Sequence, residues 1–180
     1  AASDVYKRQS VDGVLFDKEC TTLIIYPGGH GSVYQIPEGV TSIGEQAFYG
    51  RTSLTSVTIP GSVTSVGSYA FFDCSNLTSV TMLEGVKSVS DHAFGNCRSL
   101  TSATIPGSVT SIGSYAFKDC DSLTSVTIPK GVKSIGNGAF YSCNGLTSVI
   151  IPGSVTSIDD YAFSGCDSLT SVTIPGSVWS

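Results

Sequence analysis

Charged residues are scarce in this chain of 180 residues: they make up 13% of it, well below the usual quarter. The formal net charge is −5, and lysine and arginine form no cluster. Nucleic-acid binding depends on grouped cations that neutralise phosphates, so the sequence disfavours that function. No apolar run approaches the roughly 18 residues of a membrane helix, so we expect no membrane insertion within this segment.

Histidine is rare as well, since His30 and His92 are the only two. A catalytic triad needs a nucleophile and a base that an acid orients, and the many serines include no Gly-x-Ser-x-Gly elbow. The pair Asp91-His92 is therefore interpreted as surface residues. We expect that the chain is not an enzyme and that it uses no cofactor.

Acidic residues gather around one recurring motif. Calcium needs six to eight converging oxygens, whereas these carboxylates fall on successive repeats without a shared loop. We interpret them as solvated turns and expect no metal site. They are Asp73, Asp119, Asp121, Asp159, Asp160 and Asp167.

What the chain does contain is an Ala-Phe pair that recurs every 23 residues without a slip in spacing. A fixed period of this size indicates a solenoid, in which each unit stacks on its neighbours. Most residues of such a unit serve the stacking, so the pattern says more about the fold than about chemistry. The pairs are Ala47-Phe48, Ala70-Phe71, Ala93-Phe94, Ala116-Phe117, Ala139-Phe140 and Ala162-Phe163.

One repeat shows how each unit is built. Val126 and Ile128 alternate with polar residues, which predicts a half-buried strand. Pro129 ends that strand because proline cannot donate to a ladder. Val132 and Ile135 then turn inward on a second short extended segment. The Ala-Phe pair that follows is predicted to form a helical or 3₁₀ turn, with phenylalanine filling the middle of the coil.

A leucine opens each predicted strand, in register, at Leu54, Leu77, Leu100, Leu123, Leu146 and Leu169. Together with the Ile-Pro, Ala-Phe and Cys positions, this pattern closely resembles the BspA-type (Treponema-type) leucine-rich repeat over about residues 35–178. The resemblance implies a leucine-rich-repeat solenoid of six 23-residue repeats. Three departures are local: Met82-Leu83 replaces Ile-Pro, Ala103 replaces the strand valine, and Arg51 stands where later units have cysteine.

The N-terminal region differs from the repeats. Residues 11–16 and 21–27 are predicted to be two strands, and we interpret residues 10–34 as a β-hairpin cap over the first repeat. Residues 35–180 are expected to be the repeat array, truncated at its C-terminus because it stops in mid-repeat. Residues 1–9 match nothing in the repeats and resemble a translated sequencing adapter, so we expect an unstructured read-assembly scar.

Five cysteines also follow the period, at Cys74, Cys97, Cys120, Cys143 and Cys166. We expect them to stack about 4.8 Å apart. The short C-x₂-C spacing of zinc sites is absent, and parallel side-chain directions fit disulfides poorly. The prediction is a buried column of small thiols that behave as hydrophobes. Cys20 lies outside the column, in a predicted turn, and is the one candidate for a reactive thiol.

The outward positions of the strands form the surface of most interest. Solenoids commonly bind partners on such a face, although threonine could also be there for strand propensity and solubility. Ile150 is the only apolar break in an otherwise uniform polar column. The candidate binding face is Thr58, Thr81, Thr104, Thr127, Ile150 and Thr173. A serine column runs beside it at Ser56, Ser79, Ser102, Ser125, Ser148 and Ser171.

The resemblance implies adhesion by a non-enzymatic binding module of a microbial cell-surface or secreted protein. Its partners would be proteins, including host matrix or cell-surface proteins. One alternative is a structural spacer or an intracellular protein-interaction scaffold. Another is an ice-binding surface, because regular Ser-x-Thr rows resemble ice-binding arrays, but Ile150 and the leucine-rich pattern argue against it.

Overall fold

The 23-residue period of the sequence is the period of a β-solenoid in the computed structural model, which describes residues 8–179. Strands one period apart pair in parallel and in register, as where Ser56 faces Ser79 and Val57 faces Val80. Within residues 8–179 the regular elements are 16 strands, and none is a helix. The predicted leucine-rich-repeat solenoid is therefore confirmed.

Each of the first six coils contributes one longer strand and one strand of two residues, and the last described coil contributes a longer strand. The longer strands are β4 (Val33–Gln35), β6 (Ser56–Ile59), β8 (Ser79–Met82), β10 (Ser102–Thr104), β12 (Ser125–Thr127), β14 (Ser148–Ile150) and β16 (Ser171–Thr173). The short ones are β5 (Ser42–Ile43), β7 (Ser65–Val66), β9 (Ser88–Val89), β11 (Ser111–Ile112), β13 (Ser134–Ile135) and β15 (Ser157–Ile158). The short strands are the predicted second extended segments.

The longer strands form two sheets, with the orders β10-β8-β6-β4 and β12-β14-β16. The amide of Thr78 donates to the carbonyl of Thr55, and that of Thr101 to Thr78. Within the described chain, no equivalent bond joins Thr124 to Thr101. The break coincides with Ala103, where the other complete repeats carry valine and therefore more apolar surface. The solenoid stays continuous here through the pairing of β11 with β13.

Phenylalanine rings form the centre of the core. Phe48, Phe71, Phe94, Phe117 and Phe140 are each 0% exposed. Successive rings in this column stack with centroids 4.5 to 5.3 Å apart. The small alanine before each of these rings is also fully buried, which lets adjacent coils approach closely. The predicted role of the Ala-Phe pair in the core is confirmed.

The segment around each Ala-Phe pair is a series of turns, so the expected helical or 3₁₀ turn is wrong. The amide of Ala70 donates to the carbonyl three residues earlier, whereas that of Phe71 donates to Ala93 in the next coil. Tyr69 and Asp73 have φ angles of 56° and 60°, which interrupt any helix. Stacking between coils satisfies the amides that a helix would satisfy locally.

Three antiparallel strands precede the array: β1 (Arg8–Val11), β2 (Val14–Asp17) and β3 (Thr22–Ile25). The prediction of one strand over residues 11–16 is wrong, because Asp12 and Gly13 form a turn with φ angles of 48° and 81°. The Asp-Gly pair is a strong hairpin signal that the apolar pattern around it obscured. Arg8 and Gln9 lie in β1, so for them the expectation of no structure is wrong. Residues 1–7 lie outside the described residues.

The first coil begins inside the region interpreted as a cap. Strand β3 pairs in parallel with β5, and β4 pairs in parallel with β6. The ring of Tyr26 stacks on Phe48 with centroids 4.8 Å apart. Its amide donates to the carbonyl of Ala47 at 2.8 Å. Tyr26 therefore occupies the place that phenylalanine occupies in the repeats, and it closes one end of the ring column.

One departure from the repeat pattern adds a hydrogen bond directly after strand β8. Leu83 stands where other repeats have proline, and its amide donates to the carbonyl of Ile59 at 2.9 Å. Proline could not make this bond. In the same turn, the carboxylate of Glu84 accepts hydrogen bonds from the amides of Gly107 and Ser108 at 2.9 and 3.0 Å. The changed residues thus link their own coil to both of its neighbours.

Candidate binding surfaces

The predicted threonine face lies on the outside of the longer strands. Thr81, Thr104, Thr127 and Thr173 are exposed, and Ile150 is 67% exposed. The structure brings the six candidate residues together in two groups, because the sheet is broken between Thr104 and Thr127. The first group is Thr58, Thr81 and Thr104, and the second is Thr127, Ile150 and Thr173.

A cavity of about 370 Å³ lies at this break. Residues 101–105, Ser125 and Thr127 line it, and all of them except Ala103 and Ile105 carry a hydroxyl group. The face is therefore less uniform than the sequence suggested, because its columns of side chains are interrupted at the cavity. One signal of this feature is visible in the sequence, which is the alanine at position 103.

The five periodic cysteines form the predicted buried column, and all are free thiols. Each thiol donates to the carbonyl of a phenylalanine in the preceding coil, at 3.0 to 3.3 Å. Burial raises the pKa of Cys74 to about 12 and also raises the pKa of Cys97 and Cys120. The neighbouring Cys166 thiol and burial raise that of Cys143. These groups stay protonated, so they are poor nucleophiles.

Arg51 replaces the cysteine of the first repeat and performs the same task. Its Nε donates to the carbonyl of Tyr26 at 2.6 Å, just as each thiol donates to a phenylalanine carbonyl. The donor position is therefore kept where the residue type changes. The sequence showed the periodic cysteines but not this shared acceptor, because the acceptor belongs to the backbone of another coil.

Cys20 differs from the column cysteines in every respect. It lies in a turn with a φ angle of 56°, is partly exposed, and its thiol donates to Oε1 of Gln9 at 3.5 Å. A cavity of about 360 Å³ adjoins it, between the N-terminal strands and the first coil. The structure therefore leaves Cys20 as the most accessible of the six thiols.

In thiol labelling of the native protein, one cysteine should react fast and five should react slowly. Ellman's reagent needs access to the sulfur, which Cys20 offers and the buried column does not. The Cys20→Ser variant should lose the fast phase and release five thiols on denaturation, where the native protein releases six. A fast phase that persists in this variant would mean that the column opens in the native state.

Sequence reasoning missed a column of aromatic residues on the turn segments. The ring of His92 stacks between Tyr69 and Tyr115, with centroid distances of 4.6 and 5.0 Å. His92 was interpreted as a surface residue, but it is half-buried between these rings, and burial lowers its pKa. These residues and Tyr161 each precede an Ala-Phe pair. Their shared spacing of 23 was the signal that could have revealed them.

A cavity of about 420 Å³ lies at one end of this aromatic column. It is lined by His92, Tyr115, Lys118, Tyr141 and Tyr161, and we call it the tyrosine cleft. Nζ of Lys118 lies 5.9 Å from the ring centroid of Tyr141 and 3.6 Å from Oδ2 of Asp119. The cleft thus combines aromatic rings with a paired cation.

The acidic residues do not converge. Asp73 and Asp119 lie in turns with φ angles of 60° and 55°, and residues 8–179 contain no group of three or more His, Cys, Asp or Glu side chains that could hold a metal ion. The same part of the chain has no helix with the length and apolar character needed to cross a membrane.

Comparison with known families agrees with this architecture. The model of the BspA type leucine rich repeat region matches six copies, over residues 32–146 and 87–180. Among curated proteins, no sequence matches the chain. The family match covers the array and begins at residue 32, just ahead of strand β4 and of the predicted boundary at residue 35.

Several solved bacterial structures are similar. A leucine rich repeat protein of T. pallidum shares 34% identity with a TM-score of 0.80, covering 91% of this chain and 77% of that one. A leucine rich cell surface protein of Faecalibacterium prausnitzii shares 36% identity with a TM-score of 0.84, covering 95% and 49%. A leucine-rich repeat protein of Eubacterium ventriosum shares 27% identity with a TM-score of 0.77, covering 97% and 53%. The chain spans about half the length of the last two.

Proposed function

Because the chain belongs to the BspA-type leucine-rich repeat family, we propose that it is a non-enzymatic binding module of a microbial cell-surface or secreted protein. Its partners are proteins, including host matrix or cell-surface proteins, and it meets them through the threonine face. Repeat solenoids bind along their extended surfaces. The F. prausnitzii relative is a leucine rich cell surface protein, which supports this location.

The exposure of Ile150 is the observation that carries the proposal. Its side chain is 67% exposed between Thr127 and Thr173, next to the second column of serines. Burying such a side chain against a partner contributes about 1.5–3 kcal/mol, which is enough to make it an anchor in a polar surround. A structural spacer does not require such an anchor on its outer face. The break between Thr104 and Thr127 also counts against ice binding, which needs an uninterrupted row.

Replacing Ile150 with threonine should weaken binding to a protein partner about tenfold. The substitution removes apolar contact worth roughly 1.5 kcal/mol and leaves a residue that the other strands already tolerate. The measurement is surface plasmon resonance of the purified chain against a panel of extracellular-matrix proteins, together with flow cytometry on host cells.

The matched control is Ile25→Thr. Ile25 is also exposed, at 42%, but it lies in β3, which belongs to the sheet of the short strands and not to the threonine face. Its binding should equal that of the native chain. Equal losses in the two variants would argue against the threonine face as the site. Absence of binding to every matrix protein and cell type would overturn the adhesive function and favour the spacer.

A further inference from the structure

The aromatic column stands on unusual backbone positions. The residue before each Ala-Phe pair has a φ angle between 55° and 59°, in the left-handed region. Glycine adopts this conformation freely, as Gly138 does, whereas a side chain there carries a cost on the order of 1 kcal/mol. The fold thus accepts glycine at this position. Four of the six equivalent positions nevertheless carry aromatic rings: Tyr69, His92, Tyr115 and Tyr161.

Gly138 shapes the tyrosine cleft. A Cβ added at Gly138 would overlap the ring of Tyr115, so that ring lies over the glycine. The next residue in the column, Tyr161, is 64% exposed. Tyr115 and Tyr161 therefore stand at two walls of the 420 Å³ cleft, and Tyr141 and Lys118 line the space with them. Because Gly138 has no side chain, the column of rings is interrupted between Tyr115 and Tyr161, and the cleft opens at that point.

The charges around the cleft exclude several ligand classes. The ammonium of Lys118 disfavours a cationic ligand between the rings. Asp119 lies 3.6 Å from that ammonium, and the chain carries a net charge of −5, so an anionic ligand gains little. His92 adds no charge, because burial lowers its pKa. The ligand class that best matches the cleft is therefore a neutral molecule with apolar faces and hydroxyl groups.

We propose that the tyrosine cleft binds a neutral oligosaccharide. The C–H face of a pyranose ring packs on the exposed ring of Tyr161, and the sugar hydroxyls bond to the tyrosine hydroxyls of the cleft and to Lys118. Tyrosine suits both tasks, because its ring is apolar and its hydroxyl both donates and accepts. Coils repeat about every 4.8 Å, so rings on successive coils can contact successive sugar units. The cleft lies on the turn segments, apart from the threonine face.

Affinity electrophoresis tests the proposal with neutral polysaccharides in the gel: cellulose derivatives, xylan, glucomannan and amylose. The native protein should be retarded by at least one of them. Isothermal titration with the matching hexasaccharide should then give the dissociation constant. In the Tyr161→Gly variant we expect at least a tenfold loss of affinity. Glycine suits the φ angle of 59° at this position, so a folding defect is not expected to cause that loss.

The matched control is Tyr49→Ala. Tyr49 is 44% exposed and stacks on Phe72, outside the cleft, so its loss should leave binding unchanged within about twofold. Three results would overturn the proposal: no retardation by any neutral polysaccharide, equal binding by Tyr161→Gly, or tighter binding of polygalacturonate or a polyproline peptide. None of these results bears on the protein partners of the threonine face, which are tested through Ile150.

Discussion

Replacing Phe94 with alanine is expected to lower the free energy of unfolding by roughly 3–5 kcal/mol. The ring is 0% exposed and stacks on Phe71 at 5.1 Å and on Phe117 at 5.3 Å. Its removal leaves a cavity that the coils cannot close, because backbone hydrogen bonds on both sides fix their spacing. Urea denaturation followed by circular dichroism measures the loss.

Phe163→Ala is the matched control for this experiment. Phe163 is partly buried, and among the described residues it stacks on one neighbour, Phe140, at 5.5 Å. We expect its loss to cost less than half as much as that of Phe94. Equal costs at the two positions would mean that the stability of a coil comes from its own residues, and not from stacking between coils.

The sequence predicted the solenoid well because the repeat imposes the same requirement on every coil. The alternation around Val126, the proline after it and the leucine before it each have a local physical reason, so one unit could be read in isolation. The break at Ala103 could not be predicted in this way. It depends on how two successive coils pack, and a substitution in one unit does not reveal how its neighbour responds.

The same distinction applies to the candidate sites. Outward threonines follow from strand alternation, so their exposure could be predicted. The tyrosine cleft could not, because it requires the left-handed backbone at Gly138 and the position of Tyr115 over it. The segments that carry the aromatic rings were expected to be helical, but they are turns with left-handed φ angles before each Ala-Phe pair. The periodic spacing of the tyrosines was visible, but their shared surface was not.

Alkaline pH should destabilise the protein steeply, because folding keeps buried thiols protonated. Burial raises the pKa values of Cys74, Cys97 and Cys120 above the ordinary thiol value of 9.0. Below that value folded and unfolded chains are both protonated, so the stability is fully present. As pH rises past it, the unfolded chain releases thiol protons that the folded chain retains. Each thiol then costs about 1.4 kcal/mol per pH unit.

Three such thiols together should remove about 4 kcal/mol between pH 8 and pH 10. Urea midpoints measured at intervals over this range, with a reductant present, give the slope directly. Cys97→Ala should reduce the slope by about a third, whatever its effect on stability at pH 7, because it deletes one of three titrating groups. The matched control is Cys20→Ser, which removes a thiol from outside the buried column. An unchanged slope in Cys97→Ala would show that the column is not what couples folding to pH.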